Sequence, residues 1–165
     1  MFYFTSDEHY QHNNCIKYCN RPFSSVEEMN QTLIDNHNSI VTKEDITIHG
    51  GDFGFFNNSK DAFKIIKQLN GQHILLRGSH DKWMNSSHHE IWSKRIEKQL
   101  VVVCHYAMTT WECSHYNSWQ LFGHSHGRLK GTSRQYDIGV DGNDFKPVSF
   151  DQIREIIEKQ IEENE

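Results

Sequence analysis

Nothing in this chain stays apolar long enough to cross a bilayer. The longest unbroken run, Leu100 to Cys104, falls far short of the roughly 20 residues a spanning helix needs, and mean hydropathy is −0.75. Basic charge is also scarce. Seventeen Lys and Arg against 22 Asp and Glu leave a formal charge of −5, which argues against strong non-specific binding to nucleic acid or to an anionic membrane. Two prolines and ten glycines exclude collagen-like and proline-rich classes. The opening residues MFYFTS read as a strand, with no basic stretch and no small-residue cleavage site, so the expectation is a cytoplasmic protein without a secretory signal. Cysteine is sparse too: Cys15, Cys19, Cys104 and Cys113 form no Cys-x-x-Cys pair and fit no zinc-ribbon spacing. Reduced thiols are the expectation for that compartment. Cys15 and Cys19, four apart, can share a helix face, which leaves a regulatory disulfide or an auxiliary zinc site as the alternative.

What is abundant is histidine, 12 of 165 residues, and neutral imidazole is the commonest metal ligand. The length suits a single domain over residues 1–165. No repeat, linker or low-complexity tract interrupts it. Short apolar runs alternate with amphipathic stretches, the pattern of an α/β domain. Strands are expected at Phe2 to Thr5, Ile46 to His49, His73 to Arg77, Leu100 to Cys104, Trp119 to Phe122 and Tyr136 to Val140. Ser25-Val-Glu-Glu28 predicts a capping box and a helix with Met29, Leu33 and Ile40 inward. Ser59 is expected to cap a helix carrying Ala62, Phe63, Ile65, Ile66 and Leu69 on one face, stopped by Asn70-Gly71. Ser149-Phe-Asp-Gln152 opens a last helix striped with Ile153, Ile156, Ile157 and Ile161, a face suited to its own sheet or to a partner.

The informative residues follow the strands. Asp7-Glu8-His9, Gly51-Asp52, Ser79-His80-Asp81, His105 and Gly123-His124-Ser125-His126 each come directly after an apolar run. In open α/β sheets the C-terminal strand edge is where ligands bind, so residues about 120 positions apart converge on one crevice. Each element alone is weak: a Gly-Asp turn is common, and a lone histidine is more often structural. Carboxylates and imidazoles without thiolates suit manganese, iron or zinc in a catalytic role. Two carboxylates and four or five imidazoles exceed the needs of one ion. Two ions about 3.5–4 Å apart, sharing one carboxylate, would use them all and clamp both oxygens of an in-line phosphoryl displacement.

The series Asp7-x-His9, Gly51-Asp52, Gly78-Ser79-His80-Asp81, His105 and Gly123-His124-x-His126 resembles the calcineurin-like metallophosphoesterase family, over nearly the whole chain. The stretches SDEHYQHNN, NRPFSS, SHYNSWQLFGHSHG and DIGVDGNDFKPVSF are similar to its compact, cap-less bacterial and phage branch. Gly51-Asp52-Phe53-Gly54 lacks the Asp-Arg-Gly continuation of the protein serine/threonine phosphatases. The resemblance implies a sandwich of two β-sheets flanked by α-helices, with two divalent metal ions, manganese first and iron or zinc as alternatives. It implies that Asp7, His9 and His126 bind one ion, that Asp52 bridges, and that His105 and His124 bind the other. His80 would assist the leaving group, supported by Asp81, while a metal-bridging hydroxide hydrolyses a phosphodiester, a nucleotide-type diester being the best substrate class. Partners would be a phosphoester small molecule or nucleotide, with a homodimer left open.

One position departs. The family has Asn in the third motif, where its amide oxygen binds the second metal; this chain has Ser79, a shorter and poorer neutral donor. Ser79 then binds through a water, or the second site is weakened. A weakened site would leave a catalytically impaired scaffold for protein binding as the alternative function, and metal buffering as a third. Several residues carry two readings. Arg77, Arg128 and His12 are expected to grip substrate, with a plain surface or structural role as the alternative. Asn13 and Arg21 line the substrate entrance or start a helix and turn. His49 reads as a buried, hydrogen-bonded histidine, and His88 and His89 as solvent-facing. Trp111, Tyr116 and Trp119 fill core or an interface, or stack on a base.

Overall fold

In the computed structural model, which describes residues 1–85 and 87–164, the apolar runs assemble into two four-stranded sheets. In the first, β1 (Phe2–Thr5) pairs in parallel with β2 (Ile46–His49), and β2 with β3 (Gln72–Leu75), in the register Phe4–Ile48–Ile74. In the second, β4 (Ile91–Ile96) and β5 (Gln99–Cys104) form an antiparallel hairpin, and β5 continues in parallel with β6 (Trp119–Phe122) and β7 (Gln135–Asp137). The chain then returns to the first sheet, where β8 (Val148–Ser149) pairs antiparallel with β1.

Phe4, Ile48 and Leu76 from the first sheet meet Val101, Val103, Trp119 and Leu121 from the second in one buried cluster. The last helix, α4 (Phe150–Glu162), adds Phe150, Ile153 and Ile157 to that cluster. A second cluster joins α2 (Val26–Ile40) and α3 (Ser59–Ile66) to the loops beyond the strands through Met29, Leu33, Ile65, Tyr10 and Phe53. A short helix, α1 (Asn13–Tyr18), leads from the first strand toward α2. The chain is thus mixed α/β, with two sheets flanked by helices.

The structure departs from the sequence expectations at identifiable places. β4 was not anticipated, because it is an exposed edge strand in which only Ile96 is buried, and its turn residues Glu97 and Lys98 both have positive φ, 47° and 75°. Such a turn normally announces itself with Asn-Gly. The helix at 59 is capped by Asn58, whose side chain accepts from Asp61 N, rather than by Ser59, and Phe63 lies exposed. Ser25 does cap α2 by accepting from Glu28 N, but the Glu28 carboxylate returns to Ser24 N (2.8 Å). At Ser149 the reciprocal box is complete. Trp119 is core, whereas Tyr116 is exposed.

Candidate metal centre

β1, β2, β5 and β6 deliver their chemistry at the same edge. Beyond β1 the chain hydrogen-bonds to the loop beyond β2, with Asp7 N donating to Gly51 O and His9 N to Asp52 O, each at 3.0 Å. Gly123 N donates to His105 O (3.0 Å), drawing the loops after β5 and β6 together. His124 N donates to both Asp7 oxygens (3.1 and 2.9 Å), which closes the crevice between the two sheets. Two glycines allow this close approach. A Cβ on Gly78 would stand 2.3 Å from Asp52 N, and one on Gly123 would stand 2.4 Å from Asp7 Oδ2.

Five of the expected ligands hold left-handed backbone: Asp7 (58°), His9 (54°), Asp52 (54°), His124 (66°) and His126 (51°). Such φ values are uncommon outside glycine and concentrate at functional sites. Donor atoms of Asp7, His9 and His126 lie within 4.8 Å of one another, as do those of Asp52, His105 and His124. Asp52 Oδ2 sits between the groups, 3.2 Å from His105 Nε2 and 3.8 Å from His9 Nε2.

The hydrogen-bond inventory tests whether cations fit there. His105 Nδ1 faces Gly50 O at 3.2 Å, so that nitrogen carries the proton, because a carbonyl can only accept. The other nitrogen, buried Nε2, faces a carboxylate. Among the described residues, His9 Nε2 and His105 Nε2 are buried and have no hydrogen-bond partner. Two buried ring nitrogens left without a hydrogen-bond partner beside one carboxylate form an arrangement that divalent cations would satisfy. The donor set fits divalent cations.

Burial dominates the electrostatics. It pushes the Asp7 carboxyl up to about 7, against the pull of His105 and His126, and drives His9 down to about 3. Burial also acts to raise Asp52, but the adjacent His105 ring and the His80 N–H outweigh it and hold Asp52 below the usual carboxylate range. His105 shows the converse: burial lowers it, and Asp52 more than restores it.

Other expected residues fall into three groups. His80 stands over the centre, its ring 5.3 Å from that of His9 and 5.5 Å from that of His12. It lines an open crevice of about 510 Å³ with Asp52, His124, His126 and Arg128. His12 touches His9, Nδ1 to Nδ1 at 3.2 Å, and stacks on Phe55. Arg77 and Ser79 line a separate cleft of about 440 Å³ together with His105. Ser79 Oγ donates to Asp52 Oδ2 at 3.1 Å.

Asp81 corrects an expectation. Its carboxylate turns away from the His80 ring and accepts from Asp52 N (2.7 Å), Gly78 N (2.9 Å), Gly54 N (3.2 Å) and Trp83 Nε1 (3.2 Å). It ties the two glycine-bearing loops together from within the core, where four N–H groups outcompete a ring on the adjacent residue. Arg21 likewise lines no entrance. It is buried and donates to the Asp7 and Glu8 carbonyls and, through Nε and Nη2, to Asp141.

Sequence reasoning missed Asp141 and Glu8. Asp141 Oδ2 lies 2.7 Å from His126 Nδ1, the carboxylate–histidine pairing that orients a metal ligand. Its signal was present, since Asp141 also follows an expected strand, Tyr136 to Val140. Glu8 Oε1 meets His49 Nδ1 at 2.5 Å, and His49 Nε2 continues to His73 Nδ1 at 3.0 Å. His49 is thus buried and hydrogen-bonded as expected.

Comparison with known proteins places these observations. No family model matches the chain. The uncharacterized protein MJ1445 of Methanocaldococcus jannaschii is 34% identical over an alignment that covers 95% of this chain and 91% of that protein. A crystal structure of AQ665 from Aquifex aeolicus, a protein of unknown function, superposes with a TM-score of 0.74 at 24% identity, covering 94% of this chain and 98% of that one, and so has the same fold. A predicted phosphoesterase from Streptococcus pneumoniae TIGR4 matches at a TM-score of 0.42 and 12% identity, over 76% of this chain and 62% of its own.

Proposed function

The chain belongs to the protein family of MJ1445, and from its own site geometry we propose that it is a dinuclear metal-dependent phosphoesterase acting on phosphodiesters. One observation carries the reading: Asp52 Oδ2 stands between two buried imidazole nitrogens that lack hydrogen-bond partners among the described residues. In this reading Asp7, His9 and His126 hold one ion, His105 and His124 the other, and Asp52 both. Bound there, divalent ions supply Lewis acidity toward a phosphoryl oxygen and lower the pKa of water. Manganese leads on ligand type, with iron and zinc next. A single domain over residues 1–165 carries the whole site.

The remaining work falls to side chains. Arg128, at the rim of the crevice, offers a forked guanidinium to a phosphate oxygen. A ring nitrogen of His80 gives its proton to the departing oxygen. Asp81 keeps the loop bearing His80 against the Asp52 turn. Two separate clefts touch the centre, one lined by Arg128 and the other by Arg77, and they give each arm of a diester a place to lie, which favours a diester over a monoester.

The test is hydrolysis of aryl phosphodiesters, phosphomonoesters and cyclic nucleotides with manganese, iron or zinc, using Asp52→Asn as control. Metal-dependent turnover that favours diesters, and that Asp52→Asn abolishes, is expected. Turnover equal to that of Asp52→Asn overturns the proposal. That outcome favours the second reading, a non-catalytic scaffold, which has its own support in Ser79 offering a short hydroxyl where a stronger donor belongs.

A further inference from the structure

Beside His126 lies a group of donors of different chemistry. Cys15 Sγ and Cys19 Sγ are 3.6 Å apart. Cys19 Sγ, Asp141 and His126 Nδ1 lie within 4.8 Å of one another, with Cys19 Sγ 3.3 Å from His126 Nδ1. Cys15 is buried, and its Sγ also lies within 4.8 Å of ring nitrogens of His9 and His12. We propose that Cys15, Cys19 and Asp141 form a third cation site, of thiolate and carboxylate donors suited to zinc, beside the imidazole–carboxylate centre.

Three physical points support it. Two thiolates on one tetrahedral zinc, at about 2.3 Å each, stand roughly 3.8 Å apart, so these sulfurs are within a few tenths of an ångström of the required spacing. Asp141 has the capacity: its oxygens accept from Arg21 Nε, Arg21 Nη2 and His126 Nδ1, and a carboxylate offers about four lone-pair positions. Charge also balances. Two thiolates and one carboxylate bring three negative charges, which a divalent ion and the Arg21 guanidinium cancel. The thiols bind by losing their protons to solvent, with no oxidation or reduction.

Donor chemistry separates this site from the neighbouring one. Thiolates select softer cations, whereas carboxylate and imidazole accept manganese. Asp141 connects them, since the oxygen that meets His126 belongs to the carboxylate that would reach the zinc. A cation at the thiols therefore fixes the carboxylate that orients a residue of the main centre.

Cadmium alone is the probe, added to the full chain kept reduced with a phosphine, because thiolate–cadmium bonds absorb in the ultraviolet and imidazole or carboxylate bonds do not. We expect a charge-transfer band that saturates at about one equivalent of sulfur-bound cadmium. Cys15→Ser and Cys19→Ser should each abolish the band, and Cys104→Ser/Cys113→Ser should retain it. Asp141→Asn should weaken the binding about tenfold or more. No band in the wild type, or a band that survives in Cys15→Ser/Cys19→Ser, overturns the proposal. The band should also persist in Asp52→Asn, so its fate is separable from that of the diester assay.

Discussion

Single side chains decide how much of the main centre can work. Ser79 spends its hydroxyl on Asp52 (3.1 Å), and its oxygen reaches less far than an amide carbonyl. Ser79→Asn should tighten the second cation by about tenfold, some 1.4 kcal/mol, in a manganese titration; equal affinities would discard the idea that this position limits the site. Gly78 gives the complementary case. A methyl group there would lie 2.3 Å from Asp52 N and Oδ1, and neither atom can move without disturbing the crevice. Gly78→Ala should cost about 1–3 kcal/mol of stability, as overpacking does, and should weaken metal uptake in the same titration. The residue types at this site were legible because each follows an apolar run. Their directions were not. Asp81 and Arg21 look like catalytic or entrance residues in the sequence, yet both are buried braces. Only the fold shows which backbone amides and carbonyls claim them.

At the level of elements, strand ends proved readable and edges did not. β1, β2, β5 and β6 are buried on both faces or nearly so, and their composition announces them. β4 is exposed over most of its length and enters its hairpin through Glu97 and Lys98, residues that carry no turn signal. Helix caps were half readable: the sequence put the cap at Ser59 and the structure places it one residue earlier, at Asn58. Ser149 caps α4 with a complete reciprocal box, so Ser149→Ala should cost about 1 kcal/mol, read as a lowered denaturant midpoint. On α2, buried His37 lies 2.9 Å from Asn70 O, and burial drives it from 6.5 down to about 4. A histidine lowered in the folded state contributes stability that is complete above the unfolded value of 6.5. Between pH 6.5 and 4 the unfolded chain binds the extra proton. Stability therefore falls with falling pH there, by up to about 1.4 kcal/mol per unit from this group. Chemical denaturation across that range should show a shallower decline in His37→Gln, which keeps a donor for Asn70 but does not titrate.

The whole molecule is two sheets joined along a seam, and the candidate centre lies on that seam. Asp7 arrives from the first sheet and accepts from His124 of the second, so cations that bind only the folded chain should stabilise the entire assembly. At a hundredfold excess over the dissociation constant the gain is about 2.7 kcal/mol, and at roughly 2–4 °C per kcal/mol it should appear as a clear rise in melting temperature with manganese. Chelation should reverse the rise, and Asp52→Asn should lack most of it. The strand topology has a consequence for biosynthesis as well. β4 to β7 come from one continuous stretch, so the second sheet can pair as soon as that stretch leaves the ribosome. β1 is made well before its antiparallel neighbour β8 and the helix that follows. Until then β1 has an open flank. The seam, and any cation held in it, is fully secured only once β8 and that helix have joined it.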